Sequence, residues 1–318
     1  MRSYVEANRE GRQWLLRYCA DNSVAVQRES AFTYTTSTGG TVSLREELDA
    51  ARAAGLDAHW TDVVDLPFPV VGALRLDDQA QFDAVQALDA LVQDFVQCGG
   101  TVHEGTRVRT VHGNRHRRSV HTNRGVVTAA RVVIATGTPI LDRGAFFARL
   151  EPQRSYAAAF TVPGDIPRGM YISVDKPERS IRYAPRNDSN LLLVGGNGHP
   201  VGRAASPSQC LQELIDWTGK TFPPGAELTH SWSAQDYRPV NELPYVGELL
   251  PGDPLDPHCH WLREMGGDHQ LGRCRADTGC ECPRHPSTVV SNLYPHGIGI
   301  KCPECPMLFG SMLEWPFT

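Results

Sequence analysis

The stretch RVVIATG, residues 131–137, decides the fold. Its β-branched run leads directly into Ala-Thr-Gly, and this pattern predicts a buried strand that ends against a ligand. Gly137 would let the backbone approach a ligand at a point where a side chain would intrude. Because the run shows no polar alternation, we predict that Val132–Ala135 is central in its sheet and buried on both faces. A sheet of this kind is expected to begin upstream with a glycine-rich loop.

Composition and charge limit the classes of protein that fit. The chain has 318 residues, of which 41% are hydrophobic and 21% charged, with a net charge of −5. This length allows two domains or one large one. The slight acidity argues against a nucleic-acid partner, and no apolar run approaches the roughly 20 residues of a membrane span. Since the N-terminus also lacks a signal-peptide core, we predict a cytoplasmic protein without a membrane partner.

The segments around the opening stretch predict a mixed α/β order with a sizeable antiparallel part. The best helix is Phe82–Cys98, whose apolar residues fall on one face and which Gly99-Gly100 ends. Further helices are predicted at Tyr4–Asp21, Val42–Ala54 and Ser206–Thr218. Strands are predicted between 154 and 195 and at Val24–Gln27, Phe32–Thr36, Ala73–Leu76, Thr101–His103, Val108–Val111, Val120–Thr122, Val126–Thr128 and Leu228–Trp232.

The glycine-rich run GGNGHPVG, residues 195–202, follows the apolar segment LLLV. It has two interpretations, a phosphate-binding loop or a connecting turn. From Gly196 the spacing is GxGxxxG rather than GxGxxG, and Pro200 lies inside it. Because the next helix begins only near Ser206, its N-terminus would not point at a phosphate in the loop. The pattern therefore favours a connecting turn.

A second motif, DYRPVNELPYVG at residues 236–247, places Arg238 in what the prolines predict to be a rigid turn. A buried arginine there would hold a substrate carboxylate in a bidentate pair. The alternative is a structural arginine that donates to turn carbonyls, and the residues alone leave both open.

Cysteines are concentrated at the C-terminal end. Six of the nine lie after residue 258, which marks a boundary near Gly252. Four of them fit a tetrahedral zinc set: Cys280, Cys282, Cys302 and Cys305. The same tail is rich in Pro, His and Arg and almost lacks hydrophobic periodicity, which is also typical of translation in a wrong reading frame.

The segment 82–137, the β-rich middle and QDYRPVNELPYVG together resemble the D-amino-acid-oxidase-like FAD-dependent oxidoreductases. The resemblance covers about residues 1–252 and is greatest to the branch related to gamma-glutamylputrescine oxidase. It implies FAD as the cofactor and a small-molecule amine or amino acid as the substrate. It further implies that hydride passes from the C–H bond next to the amine to the flavin, which oxidises a C–N bond.

The same resemblance implies a two-part architecture of the α/β (α+β mixed) class. An incomplete, Rossmann-like FAD-binding domain would comprise 82–137 and 228–252. A substrate domain with a mixed, largely antiparallel sheet would comprise 24–80 and 154–200. Residues 253–318 would form a disordered tail.

The resemblance also suggests roles for individual residues. Val108 would contact the adenine end of FAD through its backbone. Ala135, Thr136 and Gly137 would lie near the pyrophosphate or the ribose. Arg238 would anchor the substrate with Tyr237 beside it, and no general base is assigned.

Two departures from the family pattern lead to further expectations. The sequence contains no strand followed by GxGxxG, which in the family holds the FAD pyrophosphate. After Gly252, the cysteine-rich segment replaces the expected strand, glycine-containing loop and helix. Read one base later, the codons of Trp261 and Met265 must give Gly and Trp, and the permitted codons around them allow ATGYAKWG.

We therefore expect an N-terminally truncated chain with a frameshift near codon 253, an open sheet edge and little or no activity on its own. The alternative hypothesis is a zinc-stabilised binding module that uses the tail cysteines, with the α/β body as a scaffold.

Overall fold

The computed structural model describes residues 2–113, 117–136, 146–186, 190–203, 206–239, 246–248, 259–262, 287–290 and 299–302. Within these residues the helices are α1 (Arg2–Asp21), α2 (Gly40–Ala53), α3 (Ala84–Gln97) and α4 (Pro207–Thr221), with a 3₁₀ turn at Phe146–Arg149. The early strands are β1 (Val26–Thr35), β2 (Ala58–Thr61), β3 (Gly72–Phe82), β4 (Val108–Gly113), β5 (Arg118–Thr122), β6 (Gly125–Ala129) and β7 (Val132–Ile134). They are followed by β8 (Leu150–Thr161), β9 (Met170–Ser173), β10 (Arg179–Ala184), β11 (Leu191–Pro200) and β12 (Glu227–Pro239). The last strands are β13 (Val246–Glu248), β14 (Cys259–Leu262), β15 (Ser287–Val290) and β16 (Gly299–Cys302).

One large sheet dominates the structure. Its eight strands follow the order β12-β8-β11-β10-β9-β1-β3-β2. Every neighbouring pair is antiparallel except β1 and β9, which run parallel. The mixed, largely antiparallel sheet that the sequence predicts is therefore confirmed. Strand β12, which the sequence assigned to the FAD side, pairs with β8 at one edge of this sheet.

Helix α4 covers one face of the large sheet. Ser206 caps its N-terminus by accepting from the Gln209 N–H, and Pro207 occupies the first turn, as predicted. Leu214 packs into an apolar cluster with side chains such as Phe160, Ile181 and Leu192, all of which are at most 2% exposed. Since side chains alternate along a strand, the residues between these core positions point to the face opposite α4.

Helix α3 forms where the apolar period of the sequence predicts a helix. Asp83 caps it through its carboxylate, which accepts from two backbone N–H groups of the first turn. The buried positions are Ala87, Leu91 and Phe95, spaced by four residues. The predicted apolar face is partly wrong, because Val85 and Val96 are each 51% exposed. None of the described helices is long and apolar enough to cross a membrane.

The predicted FAD side forms smaller sheets. Strands β4, β5 and β6 pair antiparallel, and the apolar cluster that they share with β7 includes Val108, Val120 and Val132. Strand β7 pairs in parallel with β14, which pairs antiparallel with β13. The open edge expected beside β7 is therefore wrong, because Cys259–Leu262 supplies the backbone partners there. Among the described strands β7 lies at one side of this sheet, so the central position predicted for Val132–Ala135 is also wrong.

Two strand predictions fail for identifiable reasons. The two strands expected at Val24–Gln27 and Phe32–Thr36 are one continuous strand, β1. The residues between them look like a turn because they are polar, but they pair with β3 across a bulge near Ser30, and β9 flanks only Ala31–Tyr34. Thr101–His103 forms a loop before β4, and no described strand pairs with it.

Asp175, in the loop that follows β9, accepts hydrogen bonds from residues at the end of β1. Its carboxylate accepts from the Thr36 backbone N–H at 2.6 Å and from the Thr36 hydroxyl at 2.9 Å. It also accepts from the hydroxyls of Thr35 at 2.7 Å and Ser37 at 3.0 Å. Burial raises the pKa of Asp175, but these hydrogen bonds together outweigh burial and lower it.

We expect Asp175→Asn to lower the free energy of unfolding by about 1–3 kcal/mol at pH 7, because an amide donor would face the Thr36 donors. The lowered pKa means that the carboxylate stabilises the fold above its unfolded pKa of about 3.9 and loses this effect as the pH falls through the folded pKa. Urea unfolding measures the free energy of unfolding of both proteins at pH 7 and pH 3. The difference between wild type and variant should be smaller at pH 3. The exposed Asp165→Asn should differ little from wild type at either pH. An equal cost of Asp175→Asn at both pH values would contradict the prediction.

Candidate functional site

The residues assigned to the cofactor lie around the carboxyl end of β7. Val132 and Ile134 are each 2% exposed, and the strand continues into Ala135 at 1% and Thr136 at 3%. Val108 opens β4 in the same apolar cluster as β7, so the structure brings Val108 close to this strand. Ligands of α/β sheets bind at the carboxyl ends of parallel strands, and β7 and β14 form such a parallel pair. Gly137 lies outside the described residues.

The predicted substrate residues Tyr237 and Arg238 lie at the end of β12, not in a turn. Their backbone partners are Pro152 and Glu151 on β8, which complete a ladder that the sequence motif could not reveal. Arg238 is exposed rather than buried, and the Tyr237 hydroxyl accepts from Gln235 Nε2 at 2.8 Å. The expectation of a buried arginine in a rigid turn is therefore wrong.

This end of β12 adjoins the region around β7. Pro239 is buried opposite Leu150, the first residue of β8. Leu150 in turn packs against the apolar cluster that contains Val132 and Ile134. We call this contact the junction, because it joins the large sheet to the β7 region and places Arg238 beside it.

The glycine-rich run belongs to a strand. Residues 195–200 are the last six residues of β11, so the predicted connecting turn is wrong, and a turn begins only at Val201. Gly196 has φ +153°, and a Cβ on it would lie 2.3 Å from the carbonyl oxygen of Glu178. The next residue, Asn197, has φ 56° and accepts from Arg179 Nη1 at 2.7 Å. The glycine at position 196 is therefore needed because two backbones pack closely there, and no bound ligand is required to account for it.

The face of the large sheet opposite α4 carries short side chains in its centre. Ser180, Gly195, Ala157 and Trp232 are successive cross-strand partners on β10, β11, β8 and β12. Ser180 is 8% and Ala157 3% exposed, whereas Trp232 at the sheet edge is 45% exposed. The next row of partners places Arg182 opposite Leu193.

Polar groups cluster around Arg182 on β10. Gln81 is 1% exposed, and its Oε1 accepts from Arg182 Nη1 at 3.5 Å, the upper limit for a hydrogen bond. Arg182 Nη1 also donates to the Tyr183 carbonyl at 3.4 Å. Ser180 Oγ is buried without a hydrogen-bond partner, whereas the Gln81 side chain also hydrogen-bonds Tyr183.

Tyr183 adds a fixed proton beside this cluster. Its hydroxyl donates to Glu29 Oε1 at 2.5 Å, and the Arg168 guanidinium lies 4.7 Å from its ring centroid. Burial, followed by the hydrogen bond to Glu29, raises the pKa of Tyr183 to about 12. The phenol is therefore protonated at neutral pH and acts as a donor.

Sequence reasoning missed this cluster. One signal was present in SIRYA at residues 180–184, where Ser180 and Arg182 alternate with the apolar-facing Ile181 and Tyr183. A strand that carries polar residues on one face of a buried sheet indicates a lined site or solvent, and the pattern alone does not separate the two. The contribution of Gln81 from β3 carried no local signal.

The proposed zinc ligands remain a prediction. Cys302 ends β16, while Cys280, Cys282 and Cys305 lie outside the described residues. No three His, Cys, Asp or Glu side chains in the described part of the chain come together as a metal site.

The comparison with known protein families decides the identity of the fold. The family model of the FAD dependent oxidoreductases called DAO matches residues 2–268. The chain belongs to this family. The cofactor of this FAD-dependent oxidoreductase family is FAD, as the sequence predicts. The buried end of β7 fits one part of that cofactor, because Ala135 is small and lies where a parallel strand pair ends.

A curated relative and two solved structures extend this result. This chain is 27% identical over 254 residues to YhfW, a Bacillus subtilis protein named as a Rieske 2Fe-2S iron-sulfur protein. That match covers 78% of this chain and 49% of YhfW, so the chain spans about half the length of this relative.

Glycine oxidase from Geobacillus kaustophilus matches with a TM-score of 0.66 and 17% identity, over 84% of this chain and 73% of the oxidase. NikD, an amino acid oxidase essential for nikkomycin biosynthesis, matches with a TM-score of 0.69 and 11% identity. The match covers 88% of this chain and 80% of NikD. At these identities both structures support the fold alone.

Proposed function

We propose that this chain is part of an enzyme that oxidises a C–N bond of an amine or amino acid. The observation that carries the proposal is the junction, where the end of β12 with Arg238 adjoins the cluster of β7. In the proposal, the substrate lies between FAD and the large sheet, and the proposal is supported by the junction, which joins that sheet to the β7 region. The solved structures with a similar fold, glycine oxidase and the amino acid oxidase NikD, are consistent with this substrate class.

FAD, when bound, supplies the acceptor for the hydride of the C–H bond next to the amine, and water hydrolyses the resulting imine. In the proposal, Val108, Ala135 and Thr136 hold the cofactor, with Gly137 beside them. Arg238 pairs with the substrate carboxylate, and Tyr237 lies beside it. No general base is required of this chain if the substrate binds as the neutral amine.

We also propose that the 318 residues alone retain FAD weakly. The sequence contains no GxGxxG after a strand, and each backbone N–H bond to the pyrophosphate in such a loop is worth about 1.5–3 kcal/mol. Without two or three of these bonds, affinity falls by several orders of magnitude. The branch related to gamma-glutamylputrescine oxidase and the cytoplasmic location stay predictions.

Two measurements test the function. The coding DNA is first read upstream of Met1 and through codon 318. The 318-residue chain and any longer chain that the DNA encodes are then titrated with FAD and mixed anaerobically with a panel of amino acids and amines. We expect the chain that binds FAD to lose its absorbance near 450 nm with at least one member of the panel and to release ammonia or a shorter amine. An FAD-loaded protein that no amine or amino acid reduces would refute the proposal.

A further inference from the structure

We propose that Cys210 is a site of oxidation by hydroperoxides, activated by transfer of its proton through Tyr156 to His199. We call these three residues the thiol chain. It lies on the α4 side of the large sheet, because Cys210 and Tyr156 both pack in the apolar cluster beneath that helix. Oxidation at this site is independent of the proposed function, and the 318-residue chain alone can be used to test it.

Tyr156 connects the other two members of the thiol chain. Its side chain is 3% exposed, and its hydroxyl lies 3.0 Å from His199 Nε2. The same hydroxyl hydrogen-bonds the Cys210 thiol, which α4 brings against β8 and β11. A nucleophile and a base that share a buried hydroxyl in this way have the geometry from which a reactive thiolate forms.

The neighbouring carbonyl determines which nitrogen of His199 accepts a proton. Nδ1 lies 3.0 Å from the Pro200 carbonyl oxygen, which can only accept, so Nδ1 carries a hydrogen. Nε2 of the neutral ring therefore has a lone pair and accepts from the Tyr156 hydroxyl. The Tyr156 oxygen can in turn accept from the Cys210 thiol, which completes a directed chain of hydrogen bonds.

Proton transfer along this chain leaves every group with a partner. The Tyr156 hydroxyl passes its proton to His199 Nε2 and takes up the proton of Cys210. Both nitrogens of the resulting imidazolium still donate, Nδ1 to the Pro200 carbonyl and Nε2 to Tyr156, and Tyr156 then donates to the thiolate. Burial, followed by the charge on Cys210, raises the pKa of Tyr156, so the phenol relays the proton and does not itself ionise.

The position of Cys210 in α4 also favours the thiolate. Cys210 is the fourth residue of the helix, in the first turn, where the positive end of the helix dipole lies. Asn197 Nδ2 donates to the Cys210 carbonyl at 2.6 Å and so holds this turn against β11. Arg154 of β8 adds a positive charge that acts on Tyr156. The cysteine is partly exposed, so a small oxidant can reach it.

A hydroperoxide is the oxidant that fits, because it is small and carries its own leaving group. The Cys210 thiolate attacks one oxygen, an S–O bond forms and the O–O bond breaks. With hydrogen peroxide, the departing hydroxide takes the proton from His199 and leaves as water. Sulfur is oxidised by two electrons and the peroxide is reduced by two, so thiol and peroxide give sulfenic acid and water.

Cys98 provides a control within the same molecule. It is the most exposed of the three described cysteines outside the tail, whereas Cys19 is buried. Cys98 caps the C-terminal end of α3, where the negative end of the helix dipole disfavours a thiolate. Exposure alone would therefore make Cys98 the faster site, whereas the thiol chain favours Cys210.

The test treats the full chain with hydrogen peroxide at pH 7 in the presence of dimedone, which traps sulfenic acid. Trypsin releases Cys19, Cys98 and Cys210 on separate peptides, so mass spectrometry gives the labelling rate of each. The variants are Tyr156→Phe, which keeps the ring in the core, and His199→Gln. Labelling of the buried Cys19 identifies a variant that fails to fold.

We expect Cys210 to be labelled about 5- to 20-fold faster than Cys98 in the wild type, because a free thiol is only a few per cent thiolate at pH 7. Tyr156→Phe and His199→Gln should each slow the labelling of Cys210 about 5-fold or more and leave Cys98 unchanged. His59→Gln, the matched control on β2, should leave both rates unchanged.

Labelling of Cys98 as fast as that of Cys210 in the wild type would overturn the inference, since exposure would then account for both rates. Unchanged labelling of Cys210 in folded variants would also overturn it, because the thiol would then react without Tyr156 and His199. If Tyr156→Phe fails to fold, His199→Gln carries the same test at a partly exposed position.

Discussion

Gly196→Ala is expected to lower the free energy of unfolding by about 2–6 kcal/mol. At φ +153° an alanine is strained by about 1–3 kcal/mol. The new Cβ would also lie 2.3 Å from the Glu178 carbonyl oxygen. Because that oxygen belongs to the backbone of the residue before β10, the main chain there must shift, at a further cost of about 1–3 kcal/mol. Urea unfolding followed by circular dichroism measures the difference.

Gly198→Ala is the matched control for this prediction. It lies two residues further along the same strand, it is exposed, and its Cβ would meet only the Arg154 carbonyl oxygen at 3.8 Å. We expect a change of less than about 1 kcal/mol. The pair also separates the two interpretations of GGNGHPVG. A phosphate loop would lose ligand affinity on substitution while its stability stayed near wild type, and that result would contradict the structure.

Phe160→Ala is expected to cost about 3–5 kcal/mol of unfolding free energy. Phe160 is 2% exposed near the C-terminal end of β8, between β11 and β12 and beneath α4. Removing the ring leaves a cavity in the cluster that holds α4 to the sheet. The sheet backbone is paired on both sides at this point, so it cannot collapse to fill the space. A calorimetric melt should show a lower Tm.

The cross-strand partner of Phe160 provides the comparison. Leu228 on β12 is directly opposite and is 45% exposed at the sheet edge. Leu228→Ala should change the unfolding free energy by less than about 1 kcal/mol, since much of the side chain is already in water. Equal costs at the two positions would show that Phe160 does not belong to the packed core beneath α4.

The spacing of apolar residues predicted those helices and strands that depend only on neighbouring residues in the sequence. Helix α4 forms with Ser206 and Pro207 at its start because capping and the proline φ depend only on neighbouring residues. Strand β7 and its buried end at Ala135 follow from an uninterrupted β-branched run. These features, together with the family motifs, were enough to predict the FAD-dependent oxidoreductase family.

Strand partners were not encoded locally. Asp236–Pro239 looks like a turn, but it is a strand because Leu150–Gln153 supplies backbone partners from a segment far away in the sequence. The same reason applies to β14, where the segment after Cys259 pairs with β7 although its composition predicts no element. The prediction that Arg238 is buried is wrong because β12 lies at the edge of the sheet. Which strand lies at the edge depends on the strand order, and a single segment does not reveal that order.

The sequence by itself therefore determined the helices, the buried strand at 132–134 and the family with its cofactor, because each depends on patterns within one segment. Only the tertiary structure decided the strand order, the use of Gly196 and the contact between Gln81 and Arg182. Gln81 and Arg182 are 101 residues apart in the chain and meet only because β3 and β10 belong to one sheet. A contact between distant strands has no period in the sequence, so its chemistry becomes visible only when the sheet is assembled.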